Sequence, residues 1–178
     1  MKKLSTILLA VLVIISLGII ESKANLKSAQ NKTNQNIKEA LSLIGKPIDE
    51  KRFERIYMFG EDTGGYHKKD DGEFNVSCNQ ENKINSISFI LLFDDYVDSI
   101  RYLVFIYDFL EKNKWNPFKI ELSEKGSVHN IYSKDNSFIS ITSSYMSVTK
   151  LKKEGKGMEK EIKVSIRIQI VNDIKLLN

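Results

Sequence analysis

The sequence is short of the residues that staple a fold or carry common chemistry. Its one cysteine, Cys78, excludes a disulfide within the chain, so the fold must rest on its own apolar core. Cys78 is also far from the N-terminus, which excludes a bacterial lipoprotein acylated at its processing site. Two histidines, His67 and His129, stand far apart with no ligand spacing around them, so no metal site is expected. No phosphate-binding glycine loop and no G-x-S-x-G elbow occurs. No cofactor is expected.

What the sequence does have begins at its N-terminus. Lys2 and Lys3 precede Leu4–Ile20, an apolar run broken by Ser5, Thr6, Ser16 and Gly18, and Ser22-Lys23-Ala24 offers small residues at a cleavage site. Segment 1–24 therefore reads as a secretory signal peptide. The alternative is an uncleaved N-terminal membrane anchor. The segment holds three lysines and one glutamate, so the formal charge of +4 falls to +2 without it. An exported chain so nearly neutral is not expected to bind nucleic acid.

The stretch from Asp94 to Trp115 organises the rest. Asp98, Arg101, Asp108 and Lys112 recur at helical spacing, and the remaining circumference is apolar. A helix with so wide an apolar face is expected to be covered on more than one side. Asp94 or Asp95 can cap it, and Asn116-Pro117 closes it. A strand is the competing reading for Tyr102–Tyr107, which is aromatic and β-branched.

Before this helix, residues 25–36 are polar and read as a flexible leader. Ile37, Ala40, Leu41 and Ile44 predict a short helix over 34–44, stopped by Gly45 and Pro47. Ile56–Phe59 reads as a short strand and Gly60–Gly72 as a turn-rich stretch with a hairpin signal at Asp71-Gly72. Phe74, Val76 and Cys78 alternate as one buried face. Ile84–Phe93 is apolar on both faces from Ile87 onward, which predicts a central strand covered on both sides. After the long helix, strands are expected at Phe118–Leu122, Val128–Tyr132 and Phe138–Thr149. A last strand alternates Ile162, Val164, Ile166, Ile168 and Ile170 with polar residues.

The fold class is thus α+β: a helix followed by an antiparallel meander, then the same order again. Residues 37–178 form one α+β domain, with 37–93 and 94–178 as sub-repeats if the order reflects a tandem repeat. Asp71 and Phe74 would then match Asp135 and Phe138 at an offset of 64. One continuous domain with coincidental order is the alternative.

Ile37–Asp49 (I-K-E-A-L-S-L-I-G-K-P-I-D) together with this element order resembles the β-lactamase inhibitor protein type. It is also similar to the small lipoprotein of outer-membrane barrel assembly. The resemblance implies protein binding through an open sheet face. The chain lacks the disulfides of the first type and the acylated cysteine of the second, and no functional residue transfers.

Candidate site residues come from exposed-looking loops. Asp62, Tyr66, His67, Asp70 and Asp71 cluster in the 60–73 stretch, and Lys152, Lys153 and Lys156 lie in the last hairpin. Cys78 with His67 or His129 is the only nucleophile–base set, but Cys78 lies in phase with core residues. The reading is a non-enzymatic, exported protein-binding module: an inhibitor, an immunity-type factor or an envelope component. Its partner would be another exported or envelope protein. The lysines of 150–163 would add weak contact with an anionic cell surface. The alternative is an envelope hydrolase using the carboxylates near the 60–73 stretch.

Overall fold

The computed structural model describes residues 26–58, 61–69, 71–122, 127–151 and 158–177. The chain divides into two compact units, Met1–Asn36 and Ile37–Asn178. The expected signal segment lies outside the described residues. Within the described residues, no helix is long and apolar enough to cross a membrane.

The first helix, α1, runs over residues 26–43, eight residues earlier than its apolar spacing predicts. The stretch expected to be a loose leader is helical from 26 on. Thr33 and Asn36 stand on the same buried stripe as Ile37 and Ala40, so counting apolar residues alone places the start too late. Thr33 Oγ1 also donates to the carbonyl of Ala29 at 2.9 Å, which satisfies its hydroxyl within the helix. Gly45 ends the helix with φ +80°, the left-handed conformation expected of that glycine.

Eight strands follow: β1 (Phe53–Met58), β2 (Glu61–Lys68), β3 (Asp71–Cys78), β4 (Ile84–Phe93), β5 (Asn116–Leu122), β6 (Val128–Lys134), β7 (Ser137–Leu151) and β8 (Met158–Val171). Helix α2 (Tyr96–Lys112) separates β4 from β5, and Ile174–Leu177 forms a short 3-10 turn after β8. The eight strands make one antiparallel sheet in the order β1-β2-β3-β4-β8-β7-β6-β5. The order reads alike from both edges, with each meander ending in its innermost strand. The expected sequence of helix, four strands, helix, four strands is present.

Of the residues matched at an offset of 64, each aspartate stands at a hairpin and each phenylalanine in the strand after it, with differences in detail. Asp71 opens β3, paired with Lys68, whereas Asp135 sits in the turn after β6 with φ +53°. Phe74 is fully buried, while Phe138 falls one residue out of phase with the buried Ile139. The two halves share element order, and the matched pairs differ in backbone conformation and burial.

Strand β2 occupies most of the stretch expected to be turns. Three of its residues, 63–65, stand opposite the single residue Ile56, so the pairing with β1 shifts there, and Gly64 takes φ +69° in that bulge. Glycines and carboxylates that signal turns are here a bulged strand near the sheet edge. β7 and β8 also run further than expected, to Leu151 and from Met158, and pair in register along their whole length.

Alternation and register assign the two faces of the sheet. Phe74, Val76, Ile87, Phe89, Ile139, Ile141, Ile166, Ile168 and Ile170 share one face and are buried. Phe53, Phe74 and Phe89 stack along it at centroid distances of 6.5 and 6.1 Å. Glu39 of α1 takes ion pairs from Arg52 and from Lys68, the latter at 2.8 Å.

Asp95 caps α2, accepting from the Val97 N–H at 2.7 Å, and Lys112 pairs with Asp108 at 2.6 Å. The expectation of cover on several sides is overturned. Only Ser99, Tyr102, Ile106 and Leu110 are buried, while Val97, Ile100 and Val104 are exposed. Tyr102 and Ile106 supply enough apolar contact for one narrow line of burial, with Phe93 5.1 Å from the Tyr102 ring. β4 is central as expected but covered on one side, since Leu92 on its other face is exposed.

Candidate functional site: the uncovered face of the sheet

The same alternation that builds the core places a different set of side chains on the opposite face. Ser86, Ser88, Ile90 and Leu92 come from β4. β8 contributes Ser165, Arg167 and Gln169, and β7 contributes Ser140, Thr142 and Ser144. Three direct cross-strand pairs form the centre: Ser140 with Gln169, Thr142 with Arg167, and Ser144 with Ser165. His129 of β6 stands beside Thr142, and Glu121 of β5 stands beside His129. No helix among the described residues covers this array.

The hydroxyls are tied to one another. Thr142 Oγ1 and His129 Nδ1 are 3.1 Å apart, and Ser144 Oγ and Ser165 Oγ are 2.9 Å apart. Ser165 Oγ also lies within donating distance of the Ser144 carbonyl, at 3.3 Å. The Gln169 amide donates to Ser86 Oγ at 3.1 Å and to the Leu176 carbonyl at 3.2 Å. That second bond draws the C-terminal 3-10 turn over one end of the face. Together these residues line a hollow of about 400 Å³, with Leu176 and Leu177 on one wall and Arg167 within it.

Charge on this face is mostly compensated. Lys119 pairs with Glu121, while His67 Nε2, 3.7 Å from Glu54, forms an ion pair only when the ring is protonated. Lys163, further along β8, pairs with Asp94 at 2.5 Å and lies 3.7 Å from Glu161. Arg167 is the exception: it forms no ion pair among the described residues. Arg167 lies on one of the two central strands, paired in register with Thr142 on one side and Ile90 on the other.

The residues expected from the sequence are not gathered in one place. His67 belongs to this face, in the cross-strand row Asn75, Ser88, Gln169 and Ser140. Tyr66 points the other way and is buried. Its phenol oxygen accepts from Arg55 Nε at 3.1 Å, and the same guanidinium lies 5.6 Å from its ring centroid. Tyr66 is thus a packing residue whose edge lines a shallow hollow with Arg55 and Tyr57. Asp62 sits in β2 and Asp71 opens β3. Asp70, Lys152, Lys153 and Lys156 lie outside the described residues.

A catalytic set does not assemble among the described residues. Partial burial pushes the Cys78 thiol up, with Arg55 opposing, so the thiol stays protonated near neutral pH instead of being activated. No group of three His, Cys, Asp or Glu side chains stands ready for a metal ion among the described residues. Glu121 is next to His129 in register, yet its carboxylate engages Lys119. Thr142 and His129 are therefore a hydrogen-bonded pair without a third, orienting acid. Chemically, the face offers donors and acceptors in quantity: hydroxyls, a primary amide, an imidazole and one uncompensated guanidinium.

Sequence reasoning passed over this array. The signal was present in Phe138–Thr149, where Ser140, Thr142 and Ser144 alternate with Ile139, Ile141 and Ser143, and in Ser165, Arg167 and Gln169 on β8. The two sets become one surface only through the β7–β8 register. No family model, no curated protein and no solved structure matches the chain.

Proposed function

We propose that this is an exported, non-enzymatic protein-binding module that engages another exported or envelope protein through the uncovered face of its sheet. The observation carrying the reading is the asymmetry of the sheet. One face is buried under helices, and the other carries a hydrogen-bonding array that no α-helix among the described residues covers, with Ser140 and Ser165 buried at its centre and Arg167 exposed. A paired sheet holds its side chains in fixed positions, so a partner meets a pre-organised surface and little ordering cost is added on binding. The N-terminal segment 1–24, read as a signal peptide, supports export. The similarity in element order to the β-lactamase inhibitor type supports binding over catalysis.

The test is capture from the envelope fraction of the native source, with the full chain as bait and Arg167→Glu and Ser144→Lys variants beside it. A partner retained at moderate salt by the wild-type chain and lost with either variant supports the reading. A partner retained equally by all three places the interface elsewhere.

A hydrolase remains a second reading because of one observation, the 3.1 Å contact between Thr142 Oγ1 and His129 Nδ1. It predicts ester or amide hydrolysis that Thr142→Val abolishes with the fold intact. A wild-type chain inert toward a broad substrate panel removes it.

A further inference from the structure

The uncompensated arginine identifies what the partner must bring. We propose that the hollow around Arg167 is a carboxylate-binding subsite, filled by an aspartate or glutamate side chain of the partner protein. The inference rests on the binding-module reading and specifies its anchor.

Three observations converge. The other cations described on this face have carboxylates at hand: Lys119 pairs with Glu121, and Lys163 with Asp94 and Glu161. Among the described side chains, Arg167 forms no ion pair. It lies on the wall of a hollow of about 400 Å³ that no acidic residue lines. Its neighbours there, Ser140, Thr142, Ser144, Ser165, His129 and Gln169, add hydrogen-bond donors of the kind a carboxylate accepts.

The geometry of the guanidinium decides the ligand class. A planar fork of N–H groups matches a carboxylate through two parallel bonds, roughly twice as strong as neutral ones. Burying such a pair centrally, with a hydroxyl-lined rim, is the usual setting of a binding hot spot. Glu121 cannot reach it: it stands three strand spacings away, about 14 Å. No described carboxylate lines the hollow, and an acid from a partner would enter from the open face.

The experiment follows the Arg167 Nε–Hε and His129 ring signals by NMR. The full chain is expressed with its own N-terminal segment and titrated with blocked Gly-Glu-Gly, blocked Gly-Gln-Gly and inorganic phosphate. The Glu peptide is expected to shift both signals and to bind at least about tenfold more tightly than the Gln peptide. Arg167→Lys should weaken this binding and Arg167→Gln should remove it. Thr142→Asp, which sets a carboxylate beside Arg167, should compete with the peptide from within.

Equal response to Glu and Gln peptides overturns the subsite. Phosphate binding as tight as the Glu peptide also overturns it, because the hollow then serves free anions. The parent reading fails separately: if no partner is captured while the Glu peptide binds, binding-module status falls and the subsite stands. If a partner is captured equally by wild type and Arg167→Gln, the subsite falls and the module stands.

Discussion

The two faces of the sheet are built from the same strands and do opposite work. On β8, Ile166, Ile168 and Ile170 are fully buried beneath the helices, while Ser165, Arg167 and Gln169 alternate with them on the other side. On β7, Ile139 and Ile141 face the core while Ser140, Thr142 and Ser144 face out. The period of two lets one strand carry the core on one face and, in the proposed reading, recognition on the other, so substitutions on the two faces should separate the two properties.

The largest expected effect falls on the covered face. Phe89→Ala, which opens a hole between Phe74 and the central strands, should cost about 3–5 kcal/mol in chemical denaturation. A loss below about 1 kcal/mol would mean that the aromatic stack is not the core. Asp95→Ala removes the cap on the Val97 N–H and should cost about 1 kcal/mol, read the same way.

On the uncovered face, Arg167→Gln should change stability by no more than about 0.5 kcal/mol, because the side chain is exposed and forms no ion pair among the described residues. A large destabilisation there would erase the contrast between the faces.

A smaller effect is a matter of pH. Burial raises the Tyr107 and Tyr132 phenols, with rings 6.1 Å apart on the helix side. The folded state thus holds these protons more tightly than the unfolded chain. This contribution is complete below the unfolded value of about 10 and is lost as pH rises through the raised folded values. Tyr132→Phe should flatten the alkaline fall in stability, measured by denaturation between neutral and strongly alkaline pH. An unchanged alkaline limb would assign the fall to other groups.

Much of the fold was legible because strong local signals agreed with the tertiary structure. The isoleucine alternation of β8, the Asp95 cap, the Gly45 stop and the order of helices and strands all follow from spacing and turn chemistry. Where the reading failed, a residue's usual role was reversed by its neighbours. Gly64 and Gly65 mark a bulge inside β2 instead of a loop. Thr33 and Asn36 occupy a buried helical stripe that apolar counting skips. Val97, Ile100 and Val104 suggested a second packing partner for α2, yet they are exposed.

The candidate site was less legible than the fold. A serine or threonine on a strand indicates only a position outside the core. What makes Ser140, Thr142 and Ser144 a surface with Arg167 is the register of β7 against β8, which joins residues more than twenty positions apart. His67 was found because histidine draws notice by itself. Arg167 was passed over because it looked like the polar half of an alternating strand.

The central claim is that recognition belongs to the uncovered face and not to the exposed apolar side of α2. Capture of the envelope partner by two charge variants of the full chain, Arg167→Glu and Val104→Glu, tests it most directly. Both side chains are exposed, so both variants should fold as the wild type does. The account predicts that Arg167→Glu loses the partner and Val104→Glu keeps it. The reverse result would contradict the account and assign the interface to the helix.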